Sequence, residues 1–408
     1  MEAAWRNVLL WHEHTWGAGD SVSQPDRPDV VAQWEYKRRF AVEADRWSYR
    51  LMAAARPTPV APSSYLDIVN TLAWPRSSLV LFTADQSRAG DRVLREGTPV
   101  PSQRLRDGRL AVWVDAVPAQ SSVRLRVVAG RAVAPAQRAS VTGQSLDSGS
   151  VRLAIDADRA AVTSLRWVGA PGHEFVTGDQ GLFRYLYVPG LDPAHAAPST
   201  GGTLTIEDAG PLVATVRIDS PAGGARSSVR RFTVVAGSDL VFGEIGLHKL
   251  AVRAKESGHL AFPFDVPGGV IRVDQGETLV EIERDQLPGS CRDFIGVRSA
   301  IDVSNASLGI TLVSVDAPLI ELGAITDERQ RDGRARAWRT QVAPGTSLYA
   351  YLFNNYWHTN YKADQAGPLG FRFVVRPHAP FDAQALRRLS DEQDFPLAVI
   401  SAVADSSR

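Results

Sequence analysis

Leu110–Val128 reads LAVWVDAVPAQSSVRLRVV, and two predicted strands lie within this stretch. In LAVWV the larger aliphatic side chains alternate with Ala111 and Trp113, and in VRLRV (123–127) aliphatic side chains alternate with arginine. Successive side chains of a strand point to opposite faces, so a period of two predicts strands that bury one face.

The same alternation recurs along most of the chain. Leu348, Ala350 and Leu352 alternate with aromatic side chains, and the pattern continues through 371–375. Between about residue 60 and residue 378 these short runs are separated by turn residues, and the whole sequence holds 33 Gly and 25 Pro. Strands do not alternate with helical patterns, and no repeat of fixed period is visible. The sequence therefore predicts β-sandwiches, and neither a doubly wound α/β sheet nor a propeller.

One clear helix precedes the strands. The run 26–29, Asp-Arg-Pro-Asp, is typical of a helix start, with Pro at an early position and acidic side chains near the positive end of the dipole. Apolar residues then recur at helical spacing: Val30, Trp34, Ala41, Ala44, Trp47 and Leu51. The helix should end before Arg56-Pro57, because Pro and its predecessor disfavour continuation. No second long helical pattern follows, so we expect the partners of this amphipathic helix to be missing from the chain.

Composition excludes several classes of function. Of the 408 residues, 45 are Lys or Arg and 45 are Asp or Glu, so the formal net charge is zero. A general nucleic-acid role therefore has no electrostatic support. No apolar run approaches ~18 residues, so no membrane span is expected. Because the first residues lack the pattern of a signal peptide, the sequence predicts a cytoplasmic location.

The run Trp11–Val22, WHEHTWGAGDSV, concentrates groups that carry chemistry. Imidazole is the commonest metal ligand and the usual acid or base near neutral pH. Zinc takes about three protein ligands in a catalytic site and four in a structural one. This run offers His12, His14, Glu13 and Asp20, and its spacing matches no standard zinc motif. The residues alone leave two interpretations open, a partial metal or catalytic site and a loop that packs under a neighbouring domain.

Several runs, in this order, resemble glycoside hydrolase family 38, the zinc-dependent α-mannosidases. The region 7–55, with EHTWGA at 13–18, resembles the end of the family's catalytic region and the helical bundle that follows. The remaining matching runs are VNTLAWPR at 69–76, VPSQ at 100–103, KESGH at 255–259, FPF at 262–264 and NNYWHTNYKADQ at 354–365. The resemblance covers nearly all of the chain.

The resemblance implies a retaining hydrolase acting on α-mannosides. In such a mechanism one carboxylate attacks the anomeric carbon and a second carboxyl group protonates the departing oxygen. The family's zinc has four ligands, of which only the late His corresponds to a residue here, His14, with His12 as the alternative. No catalytic residue is expected in this chain. The nucleophile and the acid/base are expected upstream of Met1, in a missing N-terminal α/β domain, so the chain alone should be inactive. Thr15 stands where the family usually has an Asp that touches sugar hydroxyls.

Four further residues are candidates for binding the carbohydrate. Trp16 offers a flat aromatic face to a sugar ring. The cluster Asn355, Tyr356 and Trp357 could reach the catalytic cleft of the intact protein from the sandwich. The alternative is that the Trp packs and the asparagines close turns through side-chain to backbone hydrogen bonds.

The predicted organisation has three parts. Residues 1–56 hold the end of the catalytic region and a helical remnant, residues 57–135 a small β-sandwich domain, and residues 136–408 a large β-sandwich with a short C-terminal helical tail. The resemblance implies that the large sandwich is galactose-mutarotase-like. The alternative function is a non-catalytic module that binds carbohydrate or supports a partner.

Overall fold

The computed structural model describes residues 1–13, 17, 19–55, 64–276, 278–330, 337–356 and 360–402. The predicted mainly β fold with N-terminal helices is confirmed. Every strand pair within these ranges is antiparallel, apart from one isolated parallel bridge between Pro101 and Val133. In the same ranges, the helices are too short or too polar to cross a membrane.

The two N-terminal helices are α1 (Glu2–Trp11) and α2 (Pro28–Ala55), which pack against each other. The bounds of α2 agree with the prediction. The expectation that α2 has no helical partner in this chain was wrong, because α1 is that partner. The pair nevertheless buries little, since among its described residues only Val30 is fully buried. Its large exposed apolar side chains are Trp5, Leu9, Val31, Tyr36, Val42, Tyr49, Leu51 and Met52.

A small β unit follows. Its strands are β1 (Tyr65–Asn70), β2 (Arg76–Phe82), β3 (Arg92–Arg95), β4 (Thr98–Val100), β5 (Ser102–Arg104), β6 (Leu110–Val117) and β7 (Ser121–Val128). In β6 the predicted inward residues Leu110, Val112 and Val114 are at most 1 % exposed, as alternation requires. Ala111, on the other face, is also buried, because it packs against Leu212 and neighbouring residues of the large unit.

The large unit holds the next strands. They are β8 (Ser140–Thr142), β9 (Ser145–Asp147), β10 (Val151–Asp156), β11 (Ala161–Trp167), β12 (Arg184–Pro189), β13 (Ala197–Pro198), β14 (Thr203–Ala209), β15 (Val213–Ser220), β16 (Ala225–Val235), β17 (Val241–Lys249), β18 (Glu256–Pro263), β19 (Val270–Asp274), β20 (Leu279–Glu281), β21 (Ile295–Gly296), β22 (Ala300–Ser304), β23 (Gly309–Ser314), β24 (Leu319–Leu322), β25 (Ser347–Asn354) and β26 (Gly367–His378). Short 3₁₀ helices lie at Pro193–His195 and Glu328–Gln330.

A six-stranded sheet and a nine-stranded sheet enclose the main core, in the order β13-β12-β18-β25-β24-β21 and β14-β15-β16-β17-β26-β23-β22-β19-β20. At its centre the ring of Phe183 packs against Phe232, Phe262 and Phe373, with centroid separations of 5.3, 4.9 and 6.2 Å. Gly243 gives this ring its space, since a Cβ there would lie 2.2 Å from Phe183 Cε1.

The C-terminal elements join the two units. Helix α3 (Ala383–Asp394) is capped by Asp382, whose carboxylate accepts from two backbone N–H groups of the first turn, and it packs on the large unit through Leu386 and Leu389. Strand β27 (Ala398–Ser401) then pairs with β1, in the register Leu66–Ser401. The domain boundaries stay a prediction, with one observed difference. The last strand belongs to the five-stranded sheet of the small unit, β27-β1-β7-β3-β4, although the prediction assigned everything after residue 136 to the large domain.

Candidate functional site

The N-terminal helices meet the large sandwich at an ionic contact. The guanidinium of Arg253, in the loop after β17, donates to both oxygens of Asp26 at 2.6 and 2.7 Å. It also donates to Asp364 at 2.9 Å. Pairing with Arg253 lowers the pKa of Asp26. The guanidinium of Arg253 therefore links the turn before α2 to the loop that follows β25.

A close approach of backbone reinforces this contact. Gly17 is buried, and a Cβ placed on it would lie 2.6 Å from Ser21 Oγ and 2.9 Å from the carbonyl oxygen of Asn360. Only a residue without a side chain fits there. The two sequence runs that carry the family resemblance, WHEHTWGAGDSV and NNYWHTNYKADQ, thus meet in space. We call the described residues of this contact region the junction (residues 11–13, 17, 19–27, 252–257, 354–356 and 360–364).

The described part of the junction contains two of the predicted site residues, Asn355 and Tyr356. His14, Trp16 and Trp357 lie outside the described residues, so their roles as zinc ligand and sugar-binding side chains stay predictions.

Asn355 holds two loops together. Its side-chain nitrogen donates to the carbonyl oxygens of Val252 and Ala254 at 3.0 and 2.8 Å, and its Oδ1 accepts from the N–H of Glu256 at 2.8 Å. These bonds use the amide for closing backbone turns, one of the two interpretations that the sequence left open. The amide therefore fixes the start of β18 beside the end of β25.

Tyr356 is 6 % exposed, and its hydroxyl lies 2.8 Å from both Gly190 O and Ser257 Oγ. A carbonyl oxygen can only accept, so the phenol donates to Gly190 and accepts from Ser257. Burial is the main cause that raises the pKa of this phenol above its ordinary value. In this structure the side chain anchors the loop to the sheet, and its hydroxyl is fully engaged.

A chain of polar groups continues inward from Tyr356, and sequence reasoning missed it. Ser257 Oγ lies 2.7 Å from His259 Nε2, and His259 Nδ1 lies 2.7 Å from Glu321 Oε2. The imidazole stacks on Tyr351 at 4.6 Å. The order hydroxyl, imidazole, carboxylate is that of a nucleophilic triad. Here each of the three residues is at most 1 % exposed, so no substrate reaches the hydroxyl and the chain of groups is structural.

A buried ion pair lies beside this chain of groups. Lys249 Nζ contacts one oxygen of Glu256, and the hydroxyl of Tyr187 donates to the other at 2.7 Å. The lysine also donates to Leu250 O at 2.8 Å and lies 4.9 Å from the centre of the Phe353 ring. Buried charges are tolerated when they are paired and hydrogen-bonded, as these are. The run KESGH therefore contributes Glu256, Ser257 and His259 to the buried polar groups at the junction.

The carboxylates of the N-terminal run are already paired. Glu13 contacts Lys37, and Asp20 contacts Arg27 at 2.5 Å. His12 is exposed just after α1. Across the described ranges no group of three His, Cys, Asp or Glu side chains is arranged to hold a metal ion. A ligand set of His12 and Asp20 would have to break the Asp20–Arg27 pair.

No protein-family model matches the sequence, and no curated protein matches it. Solved structures do match. One is a protein in glycosyl hydrolase family 38 from Enterococcus faecalis, with 12% identity and a TM-score of 0.64, covering 98% of this chain and 55% of that one. Another is an α-mannosidase from Enterococcus faecalis V583, with 12% identity and a TM-score of 0.66, covering 100% of this chain and 54% of that one.

The whole chain has the fold of the C-terminal half of these family 38 proteins. It spans about half of their length, and at 12% identity the likeness concerns the fold alone. A putative aldose 1-epimerase from Escherichia coli K12 also matches 58% of the chain at 12% identity. A TM-score of 0.35 is too low to support an inference about function.

Proposed function

We propose that this chain is the C-terminal portion of a retaining, zinc-dependent, α-mannosidase-like glycoside hydrolase. The observation that carries the proposal is the coverage: 98–100% of this chain superposes on only 54–55% of two family 38 proteins. The other half of such a protein would hold the nucleophile and the acid/base. The carbohydrate partner is an α-mannoside, and a cytoplasmic location remains part of the prediction.

The chemistry of the junction favours a structural role for this chain in the proposed hydrolase, with the catalytic groups elsewhere. A retaining glycosidase needs two carboxyl groups about 5–5.5 Å apart, one of them free to attack carbon. The described carboxylates of the junction and its flanks are bound to cations: Glu13 to Lys37, Asp20 to Arg27, Asp26 and Asp364 to Arg253. A carboxylate neutralised in this way is a weak nucleophile. The junction therefore serves to position the N-terminal run against the sandwich.

Zinc enters the proposal through His14. Imidazole suits zinc, and the metal would hold sugar hydroxyls and polarise them in the intact protein. The other ligands would come from the preceding domain. Thr15 offers a hydroxyl to the sugar where the family usually supplies a carboxylate, and a hydroxyl accepts fewer hydrogen bonds from sugar O–H groups than a carboxylate does.

The runner-up is a non-catalytic β-sandwich module that binds carbohydrate or supports a partner. The pairing of the described junction carboxylates with cations favours it. It differs from the first proposal in needing no preceding catalytic domain.

The experiment compares this chain with the product of the same gene extended upstream of codon 1. Both proteins are assayed on an aryl α-mannoside with added zinc, and zinc content is measured on each. We expect hydrolysis and stoichiometric zinc only in the longer protein, with both lost in His14→Ala and retained in the matched control His12→Ala. Turnover by the short chain, abolished by one of its own substitutions, would refute the assignment. An upstream region that encodes no such domain would favour the runner-up.

A further inference from the structure

Two neighbouring cavities, together called the cleft here, lie where the small β unit, the nine-stranded sheet and α3 come together. Their volumes are about 530 and 940 Å³, and their linings share Ser77, Trp113, Ser238, Leu240 and Glu392. Small-molecule sites commonly have volumes of about 300–1,000 Å³. The lining residues differ from those of the junction, so this is a second region with the dimensions of a binding site.

Two indoles line the smaller cavity, and contacts hold both of them. A Cβ on Gly169 would lie 2.2 Å from Trp167 Cη2 and Cζ2, so the six-membered ring rests against the backbone of that glycine. The indole N–H of Trp113 donates to Asp115 at 2.6 Å. Both tryptophans are half-buried. Fixed aromatic faces at a cleft lose little conformational entropy when a ligand stacks on them.

The charged groups of the smaller cavity are already paired. Arg376 donates to Asp239 at 3.0 Å. Glu392 accepts from the indole N–H of Trp74 at 2.9 Å, and Arg388 lies over the same indole at 5.6 Å. An ionic ligand would have to displace these partners. The lining of the smaller cavity thus favours an uncharged molecule.

One buried donor in the larger cavity has no hydrogen-bond acceptor within the described structure. Arg76 is 6 % exposed, and its Nε donates to Asn70 Oδ1 at 2.9 Å. Its Nη2 is buried and unsatisfied, although the residue lines the cleft. A buried donor without an acceptor is costly, so a turn of the guanidinium that brings this nitrogen to a ligand oxygen in the cleft would be stabilising.

We propose that this cleft binds a neutral oligosaccharide, with Trp113 and Trp167 stacked on sugar C–H faces and Arg76 donating to a sugar oxygen. A sugar chain combines apolar C–H faces with hydroxyl acceptors and carries no charge, which matches the three features of the lining. The site itself follows from the cleft alone. Choosing manno-oligosaccharides as the first probe rests on the proposed function.

The test is calorimetric titration of the full chain with α-linked mannotriose, cellotriose and trigalacturonate. We expect saturable binding of a neutral trisaccharide and a dissociation constant raised about tenfold or more by Trp167→Ala and by Arg76→Gln. The matched control is Trp338→Ala, which removes a 46 %-exposed indole outside the cleft and should leave binding unchanged.

A second measurement needs no disruptive variant. In protein labelled with 5-fluorotryptophan, the resonances of Trp113 and Trp167, assigned with Trp→Phe variants that keep most of the packing, should shift on adding the sugar. No saturable binding of a neutral trisaccharide up to about 10 mM, preference for trigalacturonate, or resonance shifts confined to other tryptophans would overturn the proposal. Hydrolysis plays no part in these readouts. A failure of the proposed glycosidase function would therefore appear only in the mannosidase assay, and a failure of this site only here.

Discussion

Gly243→Ala tests the packing at the centre of the main core. Gly243 lies between Phe232 and Phe373 on the neighbouring strands, with the ring of Phe183 over it. A Cβ would come within 2.2 and 2.4 Å of two atoms of that ring, whereas carbon atoms in contact normally lie about 3.5–4.0 Å apart. The ring cannot retreat easily, because Phe262 packs against it at 4.9 Å.

Overpacking of this kind costs about 1–3 kcal/mol, and the backbone here is paired on both sides, so we expect the upper end of that range. Removing glycine freedom from the unfolded chain returns about 0.4–1 kcal/mol. The net loss in the free energy of unfolding should therefore be about 2 kcal/mol.

Gly246→Ala, on the same strand, is the matched control. A Cβ at Gly246 meets no atom within 4 Å, so only the unfolded-state gain applies and stability should be unchanged or slightly higher. The assay is urea unfolding followed by near-ultraviolet circular dichroism, with equal slopes required before midpoints are compared. Equal midpoints for the two variants would refute the close packing around Phe183.

Three further outcomes follow from the fold. Leu397→Ala should lower the free energy of unfolding of the small β unit by about 2–3 kcal/mol in the same urea assay, because Leu397 is 8 % exposed within its core. The control is Leu81→Ala, which should cost far less because Leu81 is exposed. In hydrogen exchange, α1 and α2 should exchange faster than β16 and β17, since the helices bury little, and equal protection would contradict this. Arg253→Gln should speed proteolysis of the helical segment at pH 7. Because Arg253 lowers the pKa of Asp26, the contact stabilises above the ordinary carboxyl pKa and is lost as the pH falls below it, so wild type and variant should converge in acid.

The local sequence pattern was sufficient to predict the strands with alternating side chains and the bounds of α2. At 123–127 the alternation of the sequence became alternation of burial, because one face of β7 packs into the core of the small unit. The start and end of α2 followed from Pro28 and from the prolines after Ala55, since both act through the backbone and need no tertiary context.

Elements that depend on distant partners were not predictable in this way. Strand β27 is four residues long, and it exists because β1, more than 300 positions earlier, supplies its hydrogen-bonding partner. Helix α1 was missed for the same reason: a ten-residue helix is marginal alone and is stabilised here against α2. In the chain of groups from Ser257 through His259, Glu321 comes from another strand, so local spacing showed only two of its members.

The junction shows that two sequence runs behind the family resemblance lie next to each other in the fold. Two runs more than 300 positions apart in the sequence were singled out for their motifs, and the fold brings them together through Gly17 and Asn360. Beneath them, Asn355 and Tyr356 fix the loop to β18 and its surroundings, and the buried pair Lys249–Glu256 supports that strand. Such an arrangement holds the sandwich side of the contact in place. The proposed role of the run needs a fixed support of this kind, because a metal ligand must be held within a few tenths of an ångström of its ideal position.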